Sequence, residues 1–345
     1  MIVIRANNVN SALSQALQSL LAVGITEPSR NGPVLKFPEP VTTVYERPTE
    51  RVLFSPMRGA NPTFHLLESL WMLAGRNDVA FPATLVKNMR SFTDDGKTFH
   101  GAYGYRWRNY FRHDQLDLAI KELIANPNSR RVVLQMWNAM PTTDGIVSDL
   151  YAATHGGKDV PCNTAIYFKV RDGRLDMTVS NRSNDVIWGC YGANAVHMSI
   201  LQEYVALCVG LPVGRYWQVA DDLHVYTDKY PRESLALLAS DTEAHDLYMH
   251  GRAVPTSLIA DGEYPVLFNS DLREWFDIFD HGGIQDVPKH TYSTQFFENT
   301  AKPMLKSWLL RFTAEAAAEW AERVQAMDWR MSQQIWLANR NGGAL

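Results

Sequence analysis

Only three cysteines occur among 345 residues, Cys162, Cys190 and Cys208. They are too few and too irregularly spaced for a disulfide framework or a zinc site, so no metal centre is expected and a reducing cytoplasm is the natural compartment. Charge of either sign is not in excess: 33 Lys and Arg stand against 37 Asp and Glu, a net −4. No global basic field therefore points to nucleic acid or to an anionic membrane, and any phosphate must be read by a few placed arginines. No window approaches 18 uninterrupted apolar residues, which excludes an ordinary membrane span. The N-terminal stretch MIVIRANNVNSALSQALQSLLAV lacks a basic region followed by a clean apolar run and is not read as a signal peptide. Repeats and low-complexity tracts are missing too.

What is present is enough apolar chain to bury a substantial core, since 46% of residues are hydrophobic. Residues 10–23 read as a helix, and 25–60, rich in Pro, Arg and Gly, as extended segments with a loop. Residues 62–75 form a strong helix, with Pro62 in the first turn, Gly75 at the stop, and Phe64, Leu67 and Trp71 on one face. Glu68 in that helix either points to solvent or lies buried for a purpose; on its own, solvent is the expectation. A second helix spans 115–125. Arg130 to Trp137 reads as a strand with two arginines at its start. Residues 164–170 and 174–180 alternate as the two arms of a hairpin turning at Asp172-Gly173. A helix of about 14 residues begins near Ala195 and ends before Gly210, and a β segment at 216–219 leads into Asp221-Asp222-Leu223-His224-Val225-Tyr226. Beyond residue 300, Leu305, Trp308, Leu309, Phe312, Ala316 and Trp320 are expected on one packing stripe. Strands and helices do not alternate as βαβ units, so the class is α+β.

The chemistry concentrates in Asp159-Val160-Pro161-Cys162-Asn163 and Asn181-Arg182-Ser183-Asn184-Asp185, at the mouth and end of the hairpin. A cysteine beside an arginine is a candidate nucleophile, because the positive charge favours the thiolate. A buried, inert cysteine is the plain alternative.

Other motifs fall in order around it: Pro28-Ser29-Arg30-Asn31-Gly32, the helix carrying Glu68, Gly101-Ala102-Tyr103-Gly104-Tyr105-Arg106-Trp107-Arg108, Asn128-Ser129-Arg130-Arg131 with Trp137-Asn138, and Asp222-x-His224-x-Tyr226. With Pro161-Cys162 and Arg182-Ser183, these resemble the thymidylate synthase family, including its pyrimidine nucleotide hydroxymethylase branch, over roughly residues 10–230. The resemblance implies a twisted mixed sheet backed by helices. It implies Cys162 as nucleophile, Glu68 as proton-moving carboxylate, and Tyr103 as active-site tyrosine. Arg30, Arg130, Arg131 and Arg182 would cradle one phosphate with Ser183, the pair Arg130 and Arg131 being lent across a homodimer interface. Asn194 would read the base, although its position before a helix also permits a simple N-cap. His224 and Tyr226, two apart on one strand face, would bind the sugar. Asp185, Gly189 and Met89 would face the folate, 5,10-methylenetetrahydrofolate.

The pattern also departs from the family's. Asn163 stands where thymidylate synthases carry histidine, Met89 stands at or near their folate-facing tryptophan, and Gly189 to Asn194 is one residue longer than usual. The tail that ordinarily closes over folate is not recognisable in the end, Asn341-Gly342-Gly343-Ala344-Leu345. A site with weaker closure favours water over hydride at the last step. The expectation is therefore hydroxymethylation of dUMP by a catalytic domain over residues 1–285, with residues 286–345 a helical extension packed on it. Thymidylate synthesis, hydroxymethylation of dCMP or CMP, and a silent nucleotide- or RNA-binding relative are the alternatives. An intact Cys162, Glu68, Tyr103 and arginine set argues against the last.

Overall fold

The computed structural model describes residues 1–141 and 147–340. Ten strands occur among them: β1 (Ile2–Ala6), β2 (Ile25–Ser29), β3 (Gly32–Lys36), β4 (Val41–Tyr45), β5 (Val133–Gln135), β6 (Asn163–Arg171), β7 (Arg174–Asn181), β8 (Asn184–Asp185), β9 (Val213–Ala220) and β10 (Leu223–Tyr226). Six form a mixed sheet in the order β1-β4-β9-β7-β6-β5, and four form a smaller sheet in the order β2-β3-β10-β8. The fold is α+β.

Alternation decides which face of the large sheet is covered. The register places Leu134, Ile166, Val179, Gln218, Thr43 and Ile4 side by side across all six strands, and every one is buried beneath the helices. One residue along, Val133 and Tyr167 stand opposite each other on the other face and are exposed. The β6–β7 hairpin turns at Asp172 (φ +49°) and Gly173 (φ +70°), the left-handed pair a tight two-residue turn requires. Arg130 and Arg131 precede a strand shorter than their sequence predicts, since pairing with β6 covers only Val133–Gln135.

Two helices carry the site. Pro62–Leu73 starts where the Asn61 side chain accepts from the Phe64 N–H at 3.1 Å, and all twelve of its residues are buried. It is enclosed on every side, not amphipathic. Asn194–Val209 packs beside it and ends at Gly210 (φ +78°). Against the first helix lies Tyr103–Arg108, and the crossing needs a glycine: a Cβ on Gly104 would sit 1.9 Å from the Met72 carbonyl oxygen.

The C-terminal region does not form one stripe. It folds as Lys302–Leu309, Ala314–Glu322 and Met327–Arg340. Leu305 and Trp308 are buried, but the chain turns before Phe312, which is 76% exposed, and in the next helix the buried positions are Ala317 and Ala321. The last helix is tied down by Ser332 donating to the Leu53 carbonyl (2.8 Å) and by a Thr63–Gln333 hydrogen bond (2.8 Å). Trp308 and Trp329 belong to the same buried cluster as the sheet. The chain end at Asn341 to Leu345 lies outside the described residues. Among the described residues no helix is long and apolar enough to cross a membrane.

Candidate active site

Cys162 immediately precedes β6, beside a register shift in which Asn163 pairs with Asn181 and Ala165 with Ser180. Such a bulge re-aims side chains at a strand end. The Arg182 N–H donates to the Cys162 carbonyl at 3.0 Å, while its guanidinium donates to the carbonyls of Pro161 (3.0 Å) and Val160 (2.9 Å). Arg182 thus buttresses the nucleophile loop. Burial pushes the Cys162 thiol above its ordinary value, more than Arg182 and the Tyr103 hydroxyl draw it down. The sequence expectation of a resting thiolate is corrected accordingly: desolvation wins in the free protein.

Glu68, Tyr103, Cys162 and Asn194 line one cavity of about 250 Å³. Glu68 is 8% exposed, so the solvent-facing reading of this carboxylate is wrong; its helix is enclosed by other elements, and the carboxylate opens onto the cavity instead of the outer surface. Burial, with Cys162 close by, raises the Tyr103 hydroxyl well above its usual value and keeps it a proton donor. Asn194 does not cap its helix. Its amide donates to Oδ1 of Asn184 at 3.1 Å. The segment before it, Val186–Ala193, winds as a π-type turn with irregular backbone at Tyr191 and Gly192. Trp71, Met89, Phe92 and Phe99 supply an apolar wall, a surface suited to a flat heteroaromatic ring. Asp185 and Gly189 line neither this cavity nor the next. The Asp185 carboxylate accepts from the Trp188 N–H and is raised by burial. A Cβ on Gly189 would lie 2.2 Å from the Asn184 Oδ1 that holds Asn194.

A second cavity, of about 320 Å³, contains Arg30, Ser183, His224 and Tyr226. Asp222 holds Nδ1 of His224 at 2.7 Å, and the His224 and Tyr226 rings meet edge-on with centroids 5.2 Å apart. The four-arginine cradle does not assemble within one chain. Arg30 lines this cavity, Arg182 is engaged with backbone carbonyls, and Arg130 and Arg131 are exposed and line neither cavity.

The sequence model of the thymidylate synthase family matches residues 55–258. A deoxyuridylate hydroxymethyltransferase of Pseudomonas phage M6 is 47% identical over 352 aligned positions, covering 98% of this chain and 94% of that protein. The chain belongs to the thymidylate synthase family. A protein of the same name from Bacillus phage SP01 is 40% identical over 58% of the chain and 52% of its own length. A putative thymidylate synthase of Methanothermobacter marburgensis is 37% identical over 39% of the chain and 54% of its own length.

Within the family's site, three residues escaped the sequence reading. Phe92 joins Met89 on a short 3₁₀ turn, Lys87–Phe92, at the cavity, so apolar support near Met89 is greater than its replacement of a tryptophan implied. Arg58 donates twice to the Ile187 carbonyl (3.2 and 2.9 Å) and lies 5.5 Å over the Trp188 ring, bracing the turn before Asn194. His197 lines the cavity with its Nε2 3.1 Å from Oε2 of Glu68. Its signal was available, since three residues after Asn194 on a helix lies on the same face.

Proposed function

We propose that this protein hydroxymethylates carbon 5 of deoxyuridine monophosphate, with methylenetetrahydrofolate as donor, through a Cys162 adduct at carbon 6. The observation that carries the reading is the convergence of Cys162, Glu68, Tyr103 and Asn194 on one cavity, in a chain alike over its whole length to a phage deoxyuridylate hydroxymethyltransferase. Uracil is a poor carbon nucleophile at position 5, and addition of a thiolate at position 6 turns the ring into an enolate that is a good one. The raised thiol is compatible with this, because the dianionic substrate brings a ring whose addition traps the thiolate as it forms.

Each residue has a part. Tyr103, kept protonated, orients the Cys162 side of the ring. Asn194 accepts from N3–H and donates to O4 of the base. Glu68 moves protons at O4 and at the exocyclic carbon through water. Ser183 and Arg30 bind phosphate and His224 and Tyr226 bind the sugar, with Arg182 holding the loop between the two cavities. The folate supplies a one-carbon unit at the oxidation level of formaldehyde, and the wall of Trp71, Met89, Phe92 and Phe99 fits its flat ring.

The protein acts as a homodimer. The open face of the large sheet, which presents Val133 and Tyr167, is the surface for a second copy, and the adjacent Arg130 and Arg131 reach the partner's phosphate site. Guanidinium pairs match a phosphate dianion in geometry and charge.

The test is incubation with dUMP, dCMP or CMP plus methylenetetrahydrofolate, followed by mass analysis of the nucleotide. A gain of CH2O on dUMP with release of tetrahydrofolate is expected. A gain of CH2 with dihydrofolate would make the protein a thymidylate synthase instead, and modification of dCMP or CMP alone would refute the choice of base.

A further inference from the structure

His197 is a buried histidine whose one close polar neighbour among the described residues is the Glu68 carboxylate. It is 3% exposed, and among the described residues neither Nδ1 nor Nε2 makes an aligned hydrogen bond, although Nε2 approaches Oε2 of Glu68 to 3.1 Å. The ring stands edge-on to His65, centroids 6.5 Å apart. Burial, then the nearby Arg58 and His197, hold His65 well below its ordinary value, so His65 backs the site as a neutral ring. Across the same region the Asn163 amide is fully buried, with the Tyr103 hydroxyl as its polar neighbour. Buried polar groups ordinarily find partners, and a buried donor or acceptor left without one costs roughly 1–3 kcal/mol. An imidazole without an aligned hydrogen bond in the wall of a reaction cavity, next to a carboxylate, is the surroundings of a small polar guest, and a water held by two to four polar atoms satisfies both groups.

We propose that His197, together with Glu68, holds and deprotonates the water that becomes the hydroxyl of the product. This rests on the hydroxymethylation reading and deepens it. After the one-carbon unit is attached, the nucleotide carries a methylene group doubly bonded to carbon 5, conjugated with the carbon 4 carbonyl, and Cys162 on carbon 6. The water oxygen bonds to the methylene carbon, and the exocyclic π pair moves onto O4 as an enolate. The water's proton passes to the Glu68–His197 pair. The enolate then collapses, forming the double bond between carbons 5 and 6 and expelling the Cys162 thiolate, which takes up the proton. Nothing is oxidised or reduced, and one water is consumed. The same water opposes the competing fate of the methylene group, since hydride delivery needs a dry site. His197 therefore sets which product leaves, while the earlier steps, which depend on Cys162, proceed without it.

The experiment separates early from late steps in the full-length protein with dUMP and methylenetetrahydrofolate. Release of tritium from carbon 5 reports adduct formation and attachment of the one-carbon unit; hydroxymethyl nucleotide reports water addition; 2-mercaptoethanol traps the electrophilic methylene group as a thioether. For His197→Phe, tritium release is expected within about threefold of the unsubstituted protein while hydroxymethyl product falls roughly a hundredfold, the scale of a lost proton-transfer partner. Thioether should appear in its place. His197→Gln, which keeps polar atoms, should restore part of the hydroxymethyl product, and it carries the test alone if the phenylalanine variant fails to fold. A parallel fall of tritium release and product in both variants, or no change in either, would overturn the assignment. If the unsubstituted protein makes methyl nucleotide, the hydroxymethylation reading fails first and this one with it. Hydroxymethyl product unaffected by His197→Gln and His197→Phe leaves that reading standing and removes His197 alone.

Discussion

The backbone N–H of Arg182 donates to the carbonyl of Cys162 at 3.0 Å, so the nucleophile and its nearest cation move as one unit. The cation lowers the thiol's pKa, yet burial raises it further, and the net shift is upward from 9.0. Alkylation of Cys162 by iodoacetamide in the nucleotide-free protein should therefore rise with pH without levelling off by pH 9. Arg182→Gln removes the favourable positive charge and should move the midpoint higher still. Peptide mapping assigns the label: burial pushes Cys208 to about 11 and holds Cys190 higher, so Cys162 should react first. A plateau below pH 8 would show a resting thiolate and mean that Arg182 outweighs burial at the thiol.

Arg130 and Arg131 are exposed and line neither cavity, which a role in phosphate binding reconciles through a second chain. Alanine at either should weaken nucleotide binding by roughly 1–3 kcal/mol, the range of charge-assisted contacts. Cys162→Ser should abolish turnover but leave nucleotide affinity within about tenfold, because the thiolate acts in chemistry. Mixing Cys162→Ser with Arg131→Ala should return activity, since one site of the mixed dimer has both functions intact. No return although heterodimers are demonstrably present would defeat the cross-subunit assignment.

The hairpin and its turn at Asp172-Gly173 were legible because alternation and a glycine turn are local signals. So were the helices at 62–73, 115–125 and 194–209, whose stops are written as Gly or Asn. The helix pattern alone pointed Glu68 to solvent, because its burial depends on the other helices that enclose this one, and periodicity in one segment carries no record of what packs on its polar side; the family motif pointed it to the site. The C-terminal stripe failed for a related reason. Arg311 to Thr313 interrupts the helix, and the next one turns small alanines inward instead of Trp320. Motif order located Cys162, Tyr103 and Asn194, but the competition between burial and Arg182 at the thiol is a three-dimensional balance that spacing does not encode.

Asn194→Asp should shift preference from uracil towards cytosine. The present amide is held through its nitrogen by Asn184 at 3.1 Å, leaving the oxygen to accept from N3–H and the second amide hydrogen to donate to O4. Cytosine offers an amino donor at carbon 4 and an unprotonated N3, which a protonated or proton-sharing aspartate matches; a mismatched pair costs ~1–3 kcal/mol. The quantity to measure is the ratio of kcat/KM on dUMP to that on dCMP for both proteins. An unmoved ratio, or a starting preference for dCMP, would take Asn194 away from the base.

Asp328→Asn should stabilise the protein at neutral pH, because this carboxylate is a cost of docking the last helix. It is 1% exposed and accepts from the Tyr248 hydroxyl at 2.9 Å. Burial dominates that bond and the attraction of Arg51, raising the group from 3.8 to about 6. The sign follows from proton binding: between those values the folded state keeps a proton that the unfolded state has lost. Stability therefore falls as pH rises from 4 through 6, and the penalty is fully present at pH 7. On the scale of 1.36 kcal/mol per pKa unit it reaches at most about 3 kcal/mol. Asparagine keeps an oxygen to accept from Tyr248 without a charge to desolvate. Urea unfolding at pH 7.5 and at pH 4.5 measures the difference between the two proteins, which should be largest at 7.5 and shrink towards zero at 4.5. An asparagine variant that is less stable at both pH values would mean that the Asp328 charge, with Tyr248 and Arg51, holds the helix in place rather than opposing it.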